Sequence, residues 1–217
     1  ESAAAQRPEV VTMKSLHRPD LFAWSHFDEA RNVDFHGVVW VRPDGNVLID
    51  PLPMSEHDRA HLLALGGAAW VVVTNSDHIR AAQALAEAFG ATLCGPSAER
   101  ETFPLRCARW LGDGDEPLPG LRVHELHGSK TAGELALVID GTTLVCGDLV
   151  RGHAAGRLNL LPDAKLHDRA AALASLQRIV AAHPRLDAVL AGGGRPLFAD
   201  GARAPAALAA RLRRNEG

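Results

Sequence analysis

Short apolar runs alternate with amphipathic stretches along the chain, the pattern of strands and helices stacked in layers. Phe35 to Val41 and Asn46 to Asp50 are β-rich runs flanking Arg42-Pro43-Asp44-Gly45. Proline fixes φ and glycine accepts positive φ, so this tetrapeptide predicts a hairpin turn. Ser55 stands as an N-cap before apolar positions at helical spacing up to Leu65, and Gly66-Gly67 ends that helix. Residues 68–74 (AAWVVVT) are apolar and β-branched, the mark of a strand buried on both faces. Helical periodicity returns from Ile79 to Phe89, Gly90 closes it, and Ala91 to Leu93 reads as a further buried strand. Asn75-Ser76-Asp77-His78 then fall at a strand's C-terminal end, where open α/β sheets build their sites.

Leu121 to Leu126, Leu135 to Ile139 and Thr143 to Cys146 continue the strands, with Asp140-Gly141 as a hairpin turn. Asp168 to His183 predicts an amphipathic helix, and Asp187 to Leu190 a buried strand running into Gly192-Gly193-Gly194. Pro205 to Arg214 predicts the last helix, with proline in its first turn. The order suggests an α/β domain of two sheets covered by helices, one domain over 1–217. Residues 1–12 are small and polar and read as an extension ahead of a native start at Met13.

The 217 residues, 47% hydrophobic and 23% charged, suffice for one sizeable core. A net charge of −3 without a basic stripe argues against nucleic acid or an acidic membrane as partner. Cys94, Cys107 and Cys146 make an odd count without CxxC, so a reducing, cytoplasmic setting is expected. No apolar stretch reaches the ~20 residues of a membrane span. The tryptophans at 24, 40, 70 and 110 fill a core or an interface, which leaves room for a homo-oligomer.

Five short segments, in order, resemble the metallo-β-lactamase superfamily. Asn46-Val47-Leu48-Ile49-Asp50 resembles the early strand ending in Asp, and Val71 to His78 the strand leading into HxHxDH. Lys130-Thr131-Ala132-Gly133-Glu134 resembles the H-T-P-G-S turn. Cys146-Gly147-Asp148 resembles the strand end that carries a bridging Asp, and Leu190 to Gly194 the late P-G-H-G turn. The resemblance spans Asn32 to Phe198, is nearest a branch reading T-N-S-D-H, and implies an αββα sandwich of two mixed sheets flanked by helices. It also implies hydrolysis of an ester, lactone, thioester or related bond by an activated water.

The resemblance also implies a degenerate active site. Val73 and Asn75 take the first two His positions, unless the loop carries a two-residue deletion; Lys130 takes the third and Gly193 the last. Valine and lysine are not ordinary zinc ligands, which removes the first metal. Asp77, His78 and Asp148 survive and could hold one divalent ion (Zn, Mn or Fe), or none, with His153 or His127 as a further ligand. Asp77 or Asp148 could serve as general base. Lys130 could stabilise developing negative charge, and is expected to pair with Asp148 in place of the first metal. Asn75, Arg151 and Arg195 are candidate contacts to a small, anionic substrate. The plainer readings stay open. Asp77 and His78 could cap the helix near Ile79, Lys130 could be a solvated loop residue, and Gly192–Gly194 a bare turn. His57 and His61, spaced i,i+4 without the following Glu, read as surface. The rival function is a non-catalytic protein binding a small anion on the same scaffold.

Overall fold

The structure is a computed structural model and describes residues 13–154, 156–198, 205–207 and 210. The extension expected over 1–12 and most of the helix expected over Pro205 to Arg214 lie outside the described residues.

One mixed sheet has seven strands in chain order: β1 (Lys14–Ser15), β2 (Leu21–Asp28), β3 (Val33–Trp40), β4 (Val47–Ile49), β5 (Trp70–Val72), β6 (Thr92–Pro96) and β7 (Arg109–Leu111). β1 to β4 pair antiparallel, whereas β4 to β7 pair parallel. The second sheet uses β8 (Leu121–Glu125), β9 (Leu135–Ile139), β10 (Thr143–Cys146), β13 (Ala188–Ala191) and β14 (Leu197–Phe198) in the order β14-β13-β10-β9-β8. β11 (Val150–Ala154) and β12 (Arg157–Leu160) form a separate hairpin. The helices are α1 (Glu56–Ala64), α2 (Ala82–Phe89) and α3 (Arg169–Ala182).

The period-2 direction of strand side chains sorts the core into three layers. Val47, Ile49 and Val72 point inward against Val123, Leu137 and Val145 of the other sheet. Their neighbours Leu48, Val71 and Val73 point the other way, under Leu62 of α1 and Leu85 of α2. Val138, Leu144 and Cys146 pack under Leu176 and Ile179 of α3. The result is the αββα sandwich of two mixed sheets.

The Pro-Asp-Gly hairpin joins β3 and β4, and Ser55 caps α1 by accepting from the Asp58 N–H. Two expectations are corrected. The helix read from Ile79 starts only at Ala82, because 76–78 forms a separate 3-10 turn. That turn is capped by Asn75, whose side chain accepts from the Asp77 N–H, so Asp77 and His78 do not cap α2. β2, paired antiparallel with β3 and buried only at Leu21 and Trp24, has no counterpart in the sequence reading.

Candidate functional site

The site forms where strand ends from both sheets meet. Asp50 leaves β4, the 76–78 turn leaves β5, Asp148 leaves β10, and Gly192-Gly193 leaves β13. Backbone hydrogen bonds fasten these ends together: Leu135 N–H to Thr74 O at 2.8 Å, His36 N–H to Gly192 O at 3.1 Å and Gly192 N–H to Cys146 O at 2.8 Å. Glycine is required where they cross. A Cβ at Gly147 would stand 2.5 Å from Thr74 Oγ1, and one at Gly192 would stand 2.7 Å from both Gly147 O and His78 Cε1.

A cleft of about 610 Å³ opens at this rim, lined among others by Asp77, His78, Lys130, Asp148 and Arg151. Asp77, His78, Lys130 and Asp148 therefore meet at one cleft. His153 also lines the cleft. Two expected substrate contacts do not reach it. Asn75 is fully buried, its side-chain oxygen committed to the Asp77 N–H. Arg195 is exposed but outside the lining, its backbone N–H bonded to Gly152 O at 2.7 Å. His127 is likewise exposed and outside the lining.

His78 lies at the centre of the charge arrangement. Its Nδ1 meets Asp50 Oδ2 at 2.7 Å, and its Nε2 faces Asp148 Oδ1 at 3.7 Å. Burial alone would lower the imidazole pKa, but the Asp50 and Asp148 carboxylates raise it to about 9, so the ring is an imidazolium at neutral pH. Burial pushes the Asp148 carboxyl up, yet His78, Lys130 and Arg151 together hold it at about 2. Asp148 Oδ2 is buried without a hydrogen-bond partner, which leaves that carboxylate with acceptor capacity unused. Thr74 donates to Asp50 through its N–H at 2.7 Å and its hydroxyl at 2.6 Å, so the acid behind His78 is fully satisfied.

Three functional residues escaped the sequence reading. Asp50 was visible only as a strand-ending acid; its link to His78 spans 28 positions and leaves no local signature. Arg80 is mostly buried and donates to the carbonyls of His36 and Asp50 at 2.8 and 2.9 Å, so it pins β3 to β4 at the cleft wall. Glu134 is fully buried; its Oε1 accepts from the N–H groups of Asp148 and Leu149 at 2.7 and 2.9 Å, and its Oε2 accepts from the Ser129 hydroxyl. Glu134 thus clasps the backbone that carries Asp148. Burial raises its carboxyl to about 7 despite these donors.

The residues present do not fit the metal expected from sequence. Among the described residues no group of three His, Cys, Asp or Glu side chains is gathered so as to hold an ion. A tetrahedral site needs at least three protein donors, and each surviving donor here faces a charge from the protein itself. Asp77 is ion-paired with Lys130, and Asp148 and the Nε2 of His78 face each other, with Arg151 beside the carboxylate. The expected Lys130–Asp148 pair is also corrected. The exposed lysine tip meets the equally exposed Asp77, while Asp148 lies deeper and feels Lys130 only through space.

Two mixed sheets enclosed by helices, with a polar cleft where the strand ends meet, define the αββα class of proteins. A family profile described as the metallo-beta-lactamase superfamily matches residues 13–212. The chain belongs to that superfamily. Among solved structures, the DIM-1 metallo-beta-lactamase is 15% identical, with 92% of this chain and 97% of that chain covered and a TM-score of 0.71. A metallo-beta-lactamase from Erythrobacter litoralis is 16% identical, with 91% and 96% covered and a TM-score of 0.72. FIM-1 from Pseudomonas aeruginosa, in its mono-zinc form, is 13% identical, with 88% and 91% covered and a TM-score of 0.68. No curated protein matches the chain's sequence. The superfamily suggests a hydrolase-like function, and no helix among the described residues is long and apolar enough to cross a membrane.

Proposed function

We propose that this protein is a hydrolase-like member of the superfamily that takes a small anionic molecule into the 610 Å³ cleft. The observation that carries this reading is charge. Arg31, Arg80, Lys130, Arg151 and Lys165 line the cleft against only Asp28, Asp77 and Asp148. A walled cleft with one excess sign focuses its field and concentrates ligands of the opposite sign.

The reaction best suited to the cleft is attack of water on an ester, lactone or thioester of such an anion. The 3.7 Å separation of His78 Nε2 and Asp148 Oδ1 lets one oxygen on the cleft side touch both. The His78 imidazolium holds that oxygen by donating to it, and Asp148 takes the water's proton as the oxygen bonds to the carbonyl carbon; the bond to the alkoxide or thiolate then breaks and the proton passes from Asp148 to the leaving group. Lys130 and Arg151 stand where they can meet negative charge developing on a substrate carbonyl oxygen. The second reading, a non-catalytic anion binder, is favoured by the absent histidines at 73, 75, 130 and 193.

A panel of esters, thioesters and lactones, each offered in neutral and acid-bearing form, tests the proposal. The acid-bearing forms should be cleaved faster, and Asp148→Asn should cost about 10²-fold or more in turnover. Binding of the anions without cleavage selects the second reading. A preference for the neutral forms defeats both.

A further inference from the structure

Of the five Arg and Lys side chains lining the cleft, four are engaged. Arg31 faces Asp28 at 3.7 Å, Lys130 is paired with Asp77, Arg151 faces Asp148 at 3.7 Å, and Arg80 is spent on backbone carbonyls. Lys165 alone has no acid or acceptor partner among the described residues. Its backbone, by contrast, is fixed. Lys165 ends the 3-10 turn Asp163–Lys165, with its N–H bonded to Pro162 O at 2.8 Å and the next N–H, of Leu166, bonded to Asp163 O at 3.0 Å. On one side Leu161 N–H bonds to Leu149 O at 2.9 Å, the residue after Asp148. On the other, His167 N–H bonds to Gly128 O at 3.1 Å, two residues before Lys130. The turn is thus anchored both to the segment carrying Asp148 and to the segment carrying Lys130. An uncommitted ammonium on an anchored base, facing a cleft already rich in cations, invites a negative group from the ligand.

We infer that Lys165 is the specificity-determining residue of this cleft: its ammonium receives the carboxylate or phosphate of the substrate, while the reacting end lies at His78 and Asp148. The inference rests on the anionic-substrate reading above and sharpens it. The ligand class is a short molecule with a negative group at one end and the scissile or polar group at the other. An ammonium acts as a point charge on a flexible stem, so it selects charge more than shape. Lys165 holds no reacting atom, so its loss should act on binding and leave the chemical step alone.

Calorimetric binding of monomethyl succinate, dimethyl succinate and inorganic phosphate to the whole protein tests this without requiring turnover. Lys165→Met should weaken monomethyl succinate and phosphate about tenfold, the scale of one partly solvated charge contact, and leave dimethyl succinate unchanged. Lys165→Arg should restore most of the anion affinity, and Lys165→Glu should abolish it. If monomethyl succinate is hydrolysed, its KM should rise in Lys165→Met and kcat should not change. Equal anion binding by wild type and Lys165→Met would overturn the role of Lys165 while leaving the anion-binding cleft standing. No anion binding even by wild type would overturn the anionic-substrate reading and this inference with it.

Discussion

The Nδ1 of His78 and the Oδ2 of Asp50 stand 2.7 Å apart, both deep in the protein, and this contact joins the two strand ends that frame the cleft floor. Removing one partner of a buried pair strands the other without solvent to compensate it. Asp50→Ala should therefore destabilise by about 3–5 kcal/mol in urea denaturation. The exposed Asp44→Ala, in the hairpin turn, should change stability far less. A loss for Asp50→Ala no larger than that of Asp44→Ala would show that the contact does not hold the floor.

The same pair sets a pH dependence. His78 is raised from 6.5 to about 9, so the folded chain holds this proton more tightly than the unfolded one. The stabilisation is complete below pH 6.5 and is lost as pH rises through 9. The urea midpoint should fall between pH 7 and about 9, and His78→Gln should flatten that slope. The acids facing the ring are Asp50 and Asp148, and Arg80 opposes them. A wild-type midpoint that is flat across this window would refute the imidazolium.

Glu134 gives a second lever of the same sign at lower pH. Its carboxyl is raised from 4.5 to about 7, because full burial penalises the charged form. The folded chain prefers the proton, so stability should decline as pH climbs from 4.5 to 7. Glu134→Gln keeps an acceptor for the Asp148 and Leu149 N–H groups and removes the charge. Above pH 7 the variant should be more stable than wild type, by up to about 3 kcal/mol. A less stable variant at pH 8 would mean that the carboxylate's charge, not only its hydrogen bonds, holds the loop.

Lys130→Met probes the exposed ion pair with Asp77. A surface pair contributes little, so stability should change by less than about 1 kcal/mol. A loss of several kcal/mol in thermal or urea unfolding would place Lys130 against the deeper Asp148 after all.

Metal content is the sharpest check on the donor arrangement. Protein incubated with zinc, manganese or iron and then desalted should carry no stoichiometric ion, and its melting temperature should not move. One ion per chain that disappears in His78→Ala would establish a metal centre on these residues, with Lys130 and Arg151 displaced from the carboxylates.

Local pattern carried the layered architecture. The Pro-Asp-Gly hairpin, the buried runs at 68–74 and 135–139 and the capped helix after Ser55 were legible because backbone preference and side-chain period act over a few residues. Asp77, His78, Lys130 and Asp148, which the ordered segments offered as one site, do line one cleft. Tertiary structure decided the pairings within that rim. Which carboxylate Lys130 meets, that Asp50 backs His78 and that Glu134 grips the Asp148 backbone depend on chain separations of 14 to 53 residues. Over such distances composition and spacing are silent, since electrostatic partners are chosen by depth and direction once the sheets have packed.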